Sequence, residues 1–211
     1  MNISLHDFSG LLLDFDGTLA NTEPIHALAL KIFFHGKGYE FGEKEPGKAT
    51  NLIFREWGMK QQNEKLAESF FEEYCLFLPE FFQKNYDVIS WQNDTFDFLK
   101  RTEDVAKVLV TGSYENWLRA LDPKLHIFEN FSLFVTREDV LPDHEKPDPL
   151  AYILGAEKLK LLPSKCLALE DSYSGILSAK RAGCTVVAVK RDSTKGFEFA
   201  DMVVNSLTEI L

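Results

Sequence analysis

Short, largely apolar runs recur along this chain, and helical patterns fill the intervals between them. The runs are Leu11–Leu13, Val105–Val110, Phe131–Val135, Cys166–Leu169, Thr185–Val189 and Met202–Val204. Between them, Thr95–Lys100, Asn116–Leu121, Pro149–Lys160 and Ser174–Ala182 read as helices, the last closed by Gly183. Strands alternating with helices of this length predict an α/β fold with a parallel, doubly wound, Rossmann-like sheet. Central strands of such a sheet are covered on both faces, so they are apolar throughout rather than alternating. Ligands of open α/β sheets bind outside the carboxyl ends of the strands. The residues just past each apolar run are therefore the ones to read for chemistry.

One interval breaks the alternation. From Ala20 to about Tyr86 the β-branched runs disappear. Ile25, Leu28, Ala29, Ile32 and Phe33 give Glu23–His35 the period of an amphipathic helix. Thr22 is its expected cap, Pro24 sits in its first turn, and Gly36 and Gly38 stop it. Gly42–Gly47 is a charged turn region, and Ala49–Trp57 and Glu64–Phe82 are two further helical patterns. Phe70, Phe71, Tyr74, Leu78, Phe81 and Phe82 give the last a broad aromatic face, read as the insert's own core. The expected division is a catalytic core of residues 1–19 and 88–211 with an inserted α-helical cap domain, residues 20–87. The segment Leu207–Leu211 follows the last strand. Because the insert departs just beyond the first strand, it can cover that strand's end as a lid.

The first run ends in Asp14-Phe15-Asp16-Gly17-Thr18-Leu19. Two carboxylates this close would be costly if both were charged in a dry site, unless a cation or a shared proton offsets them. The run Val105–Val110 ends in Thr111-Gly112-Ser113, where a hydroxyl and free backbone N–H groups can hold phosphoryl oxygens. Lys146 lies in His144-Glu145-Lys146-Pro147-Asp148-Pro149, a segment that two prolines stiffen. The run Cys166–Leu169 ends in Glu170-Asp171-Ser172, a second pair of acids. Neighbouring parallel strands lie about 4.8 Å apart, so the two pairs can share one cation. An oxygen-rich site with few protein ligands favours Mg²⁺.

The net charge of −10 and a pI near 5.0 argue against nucleic acid or an anionic membrane as partner. Cys75, Cys166 and Cys184 are widely spaced and form no metal-type pair, so they read as thiols of a reducing compartment. The N-terminus lacks the pattern of a signal peptide, and no run approaches the roughly 20 apolar residues that span a bilayer. A cytoplasmic protein is expected.

Asp14-x-Asp16, Thr111, Lys146 and Glu170-Asp171 fall in the order of the four motifs of the haloacid dehalogenase-like (HAD) superfamily, which this chain resembles over residues 1–19 and about 88–205. Ser172-Tyr173-Ser174-Gly175, Ala179 and Ala182-Gly183 are similar to the stretch after the family's fourth motif. The helical insert resembles the small cap of the β-phosphoglucomutase-like branch. The resemblance implies a Mg²⁺-dependent phosphatase of small phosphorylated metabolites, sugar or nucleotide-like. It makes Asp14 the nucleophile and Asp16 the acid and base, with metal beside Asp14 keeping it charged and repulsion then placing the proton on Asp16. It implies a Mg²⁺ site of Asp14, the Asp16 carbonyl and Asp171, with Glu170 close or through water. Thr111, Lys146 and backbone N–H groups near Gly112 would bind the phosphoryl group. His26 and Lys48 of the cap resemble positions that face substrate in this branch. Asn21 and Leu150 depart from the family pattern, where acids are common. A phosphosugar mutase and a non-catalytic binding or regulatory protein are the alternatives. The presence of Asp16 disfavours dehalogenation, and the four intact motif residues speak against a degenerate site.

Overall fold

The computed structural model describes residues 4–45, 47–191 and 195–210. Pro46 of the charged turn region and Leu211 of the C-terminal segment lie outside the described residues. The sheet strands are β1 (Gly10–Leu13), β4 (Ala106–Val110), β5 (Phe134–Val135), β6 (Cys166–Glu170), β7 (Thr185–Val189) and β8 (Met202–Val204). They form one six-stranded sheet in the order β5-β4-β1-β6-β7-β8, with every pairing parallel. This is the doubly wound sheet that the apolar runs predict.

Register brings the motif residues together. Leu13 pairs with Leu109 of β4 on one side and with Leu169 of β6 on the other. Asp14, Val110 and Glu170 are therefore level at the carboxyl edge, and Thr111 and Asp171 follow by one residue.

The apolar strands pack on both faces with period two. Leu12, Val108, Ala168 and Val186 meet Ala151, Tyr152 and Ala156 of α7 (Leu150–Lys158) and Ile176 and Ala179 of α8 (Tyr173–Ala182). Leu11, Leu13, Leu109 and Leu169 face the other way, toward Trp117, Leu118 and Leu121 of α5 (Glu115–Leu125) and Phe98 of α4 (Thr95–Arg101). Full burial of strands on both faces is what a central parallel sheet requires.

The insert holds α1 (Glu23–Gly36), α2 (Thr50–Lys60) and α3 (Glu64–Lys84). It is framed by β2 (Ala20–Asn21) and β3 (Ser90–Trp91), an antiparallel pair in which Ala20 faces Trp91. These two-residue strands are too short to leave a periodic signal. Phe33, Phe34, Phe54, Trp57, Phe70 and Tyr74 pack as a ring cluster with centroids mostly 5–6 Å apart, as aromatic pairs prefer. That cluster is continuous with the apolar face of the sheet rather than closed on itself. Tyr74 reaches Trp117 of α5 edge-on at 6.5 Å, and Trp117 Nε1 donates to the Cys75 carbonyl at 3.3 Å.

Several boundaries differ from the sequence reading. β5 keeps only the last two residues of the Phe131–Val135 run, because Ile127–Asn130 forms a further short helix, α6, that ends on Phe131. α5 starts at Glu115 and runs on to Leu125, where His126 adopts a left-handed conformation and stops it.

Candidate active site

Asp14 leaves β1 with its amide donating to the Leu169 carbonyl at 3.1 Å, so its carboxylate sits at the sheet edge beside β6. Gly17 makes the turn that follows. Its φ is +84°, and a Cβ there would run into the Asp171 carboxylate. Only a bare backbone lets the loop pass this close to Asp171. Thr18, fully buried, donates to Asp171 Oδ1 at 3.0 Å.

Lys146 Nζ reaches Asp14 Oδ1 at 2.8 Å, Glu170 Oε1 at 2.6 Å and the Val110 carbonyl at 3.0 Å. Glu170 is fully buried and also accepts from the Tyr152 hydroxyl at 2.6 Å and the Ser172 hydroxyl at 3.0 Å. Asp14, Glu170 and Asp171 bring carboxylate oxygens within 4.8 Å of one another, all buried. One lysine does not neutralise three carboxylates. Burial, then Glu170, push Asp14 well above the carboxylate range, although Lys146 works against both. Asp171 is raised likewise by burial and by the charges of Asp14 and Glu170. Lys146 is held above its ordinary value by Asp14 and Glu170 in spite of its burial, so it stays cationic.

Asp16 points the other way. Its Oδ1 accepts from Thr22 Oγ1 at 2.7 Å and lies 3.5 Å from His26 Nε2. Its Oδ2 accepts from Ser113 Oγ at 2.6 Å and Thr111 Oγ1 at 3.2 Å. Burial works to raise this carboxyl, but the hydrogen bonds from His26, Ser113 and Thr22 and the charge of His26 prevail and bring it down to about 2. The expected placement of the proton on Asp16 is for a site with a metal beside Asp14. In the protein alone Asp16 is the ionised member of the pair and Asp14 the one pushed toward protonation. The reason is that four donors were supplied to Asp16, and repulsion from Asp14 is the weaker influence. Thr22 stands at the N-cap of α1 as expected, but its hydroxyl makes no capping bond because it is spent on Asp16.

These groups open onto a narrow cavity of about 110 Å³. Asp14, Asp16, Gly112 and Lys146 line it, and so do His26 and Lys48 from the insert. His26 is buried rather than on the helix surface, edge-on to Phe82 at 5.2 Å. Lys48 is paired with Glu56 at 2.6 Å and lies 3.6 Å from Glu45. Thr111 contacts Asp16 from below the cavity, and Glu170 stands behind Lys146. The sequence reading missed Ser113, Arg137 and Glu145. Ser113 has the same parity as Thr111 in a turn already singled out. Arg137 follows the end of β5, a strand end that carried no recognisable motif. Its guanidinium is buried, pairs with Glu145, and lies 5.3 Å from the Tyr114 ring and 5.6 Å from the Phe71 ring.

A family model described as "haloacid dehalogenase-like hydrolase" matches residues 8–183. The chain belongs to that family. YhcW of Bacillus subtilis (strain 168) is 31% identical over 208 residues, covering 95% of this chain and 92% of the relative. The fructose-1-phosphate phosphatase YqaB of Escherichia coli (strain K12) is 26% identical over 194 residues, covering 87% of this chain and 97% of the relative. Among solved structures, CbbY from Rhodobacter sphaeroides in complex with xylulose-(1,5)bisphosphate aligns with a TM-score of 0.77 at 20% identity, covering 96% of each chain. At that identity the likeness speaks to the fold. Family and relatives together make this HAD hydrolase a phosphatase. No helix among the described residues is long and apolar enough to cross a membrane.

Proposed function

We propose that the chain is a Mg²⁺-dependent phosphatase that hydrolyses small, sugar-phosphate-like monoesters through an aspartyl-phosphate on Asp14. The observation that carries this reading is the buried group of Asp14, Glu170 and Asp171, in which a single lysine bridges the first two. Three carboxylates of which two are raised toward protonation form an under-neutralised, all-oxygen donor set, which suits a hard divalent cation. Asp14 and Asp171, with the main-chain carbonyl of Asp16, would hold it. Glu170, already bonded through both oxygens, would orient Lys146 and lie behind the ligands. When bound, Mg²⁺ supplies the positive charge that keeps Asp14 ionised and offsets the phosphoryl oxygens.

The chain's own groups do the rest. Lys146, Thr111 and the turn at Gly112 and Ser113 bind the phosphoryl oxygens. An Asp14 oxygen attacks phosphorus as the ester P–O bond breaks, and Asp16 gives a proton to the departing oxygen. His26, beside Asp16, is placed to hand it that proton and to take it back once the second step has protonated Asp16 again. In the second step Asp16, ionised again, takes a proton from water, which attacks phosphorus and frees Asp14 and inorganic phosphate. The free thiols Cys75, Cys166 and Cys184 support a cytoplasmic setting. The fructose-1-phosphate phosphatase relative supports sugar phosphates as the substrate class.

Asp14→Asn is expected to abolish phosphate release from fructose 1-phosphate while leaving the circular-dichroism spectrum unchanged. Turnover by that variant would remove Asp14 from the nucleophile's role. A chelator is expected to stop the reaction and excess Mg²⁺ to restore it; a rate indifferent to chelation would count against the metal.

A further inference from the structure

The cavity has two ends. The phosphoryl end is the strand-end corner already described. The other end is walled by Lys44, Lys48, Arg137, Glu23 and Glu145. Every cation there already has a carboxylate. Lys44, almost wholly buried, pairs with Glu23. Lys48 pairs with Glu56 and lies near Glu45. Arg137 pairs with Glu145, whose second oxygen accepts from Asn51 of α2 at 3.2 Å. Glu45, outside the cavity, also holds Lys195, so four cations are matched by four carboxylates and none is left over. A second anionic group on the substrate would meet no unspent positive charge here. It would have to be desolvated beside acids or break an ion pair that is buried on the Arg137 side.

The same wall leaves a polar atom unpaired. Arg137 Nε is buried with no hydrogen-bond partner among the described residues. The two rings beside Arg137 fix its plane, so it cannot easily turn Nε away. An unpaired buried donor is costly, and a hydroxyl oxygen satisfies it without adding charge.

We infer that the leaving group is an uncharged polyol carrying a single phosphate, and that the Arg137–Glu145 pair both holds its hydroxyls and turns away leaving groups with a carboxylate or a second phosphate. This rests on the phosphatase reading above. It separates this chain from the solved structure that holds a bisphosphate, a molecule carrying the second anion this wall disfavours.

The test is kcat/KM for the full chain with Mg²⁺ on five probes. They are p-nitrophenyl phosphate, a hexitol phosphate, fructose 1-phosphate, phosphoglycolate and xylulose 1,5-bisphosphate. The two neutral polyol phosphates are expected to exceed phosphoglycolate and the bisphosphate by about tenfold or more. Glu145→Gln, which leaves Arg137 uncompensated, is expected to shrink that ratio by raising the anionic substrates, mainly through KM. Glu56→Gln, on the accessible side of the insert, leaves Lys48 with only its longer contact to Glu45 and is expected to act in the same direction even if the buried variant does not fold. Equal or better turnover of phosphoglycolate or the bisphosphate by the wild type overturns the inference, as does a ratio unmoved in the folded variants. Failure to hydrolyse any of the five probes would instead overturn the phosphatase reading itself.

Discussion

Asp16 is ionised by its neighbours before any substrate arrives, and Glu170 is shaped by its neighbours just as closely. The Glu170 carboxylate lies against Gly175 in the first turns of α8, where any Cβ would overlap it. Two effects of opposite sign meet at Gly175. Alanine is a better helix former than glycine by about 1 kcal/mol, which favours Gly175→Ala. Overpacking a buried site costs about 1–3 kcal/mol, and here the displaced group is a buried carboxylate that must keep Lys146 and Tyr152. The second effect outweighs the first. Gly175→Ala is expected to lower both the melting temperature and kcat, the latter because Lys146 loses the partner that orients it. A variant with a raised melting temperature and unchanged kcat would show that Glu170 does not hold the lysine.

Between elements, Asp94 performs a comparable task. It precedes α4, yet it caps nothing in that helix. It accepts instead from Arg191 Nη2 at 2.7 Å, from Ser206 Oγ at 2.8 Å and from the Leu207 amide at 2.9 Å. Arg191 also reaches the Thr18 carbonyl at 3.2 Å. One buried carboxylate so ties the start of α4, the end of β7, the C-terminal turn and the loop after β1. Burial works to raise Asp94, but Arg191 and the other donors prevail and hold it below its ordinary value. A depressed carboxyl contributes stability that is present above its unfolded pKa, near 3.9, and is lost as pH falls through the folded value. Asp94→Asn is therefore expected to cost about 2 kcal/mol at neutral pH, or about 4–8 °C in melting temperature. The gap from the wild type should narrow below about pH 4; a gap constant across that range would contradict the linkage. Asp94 also marks where sequence reading stops. The apolar runs announced β1, β4, β6 and β7 because burial on both faces leaves an uninterrupted apolar signature. Asp14 and Asp171 stood out because they sit at strand ends, and Lys146 because prolines follow it. Asp94 and Ser113 did not, since each acts through partners far away in the chain that only the folded register brings near, and Arg137, whose partner Glu145 is close in sequence, follows a strand end without a recognisable motif. The donors of Asp16 were hidden for the same reason as Asp94: Thr22, His26 and Ser113 converge on it from two different segments.

At the scale of the whole molecule, the insert and the sheet share one continuous apolar core. The sequence suggested a separate core for the insert, because Phe70 to Phe82 alone offers enough aromatic surface to pack on itself. The folded chain instead links the two through Tyr74, Trp117 and His26, and the chain passes between them over the short β2–β3 pair. Units that share a core lose their packing together, whereas units joined only by linkers melt independently. The three tryptophans report on different places: Trp57 on α2, Trp91 on β3 and Trp117 on α5. Urea unfolding followed by tryptophan fluorescence and by far-ultraviolet circular dichroism is expected to give coincident midpoints. Phe34→Ala, which empties the centre of the ring cluster, should cost about 3–5 kcal/mol and shift both probes together. The sheet would then unfold along with an insert that was weakened at a distance. Two separated transitions, with only the earlier one moved by Phe34→Ala, would mean that the shared core does not couple the two parts.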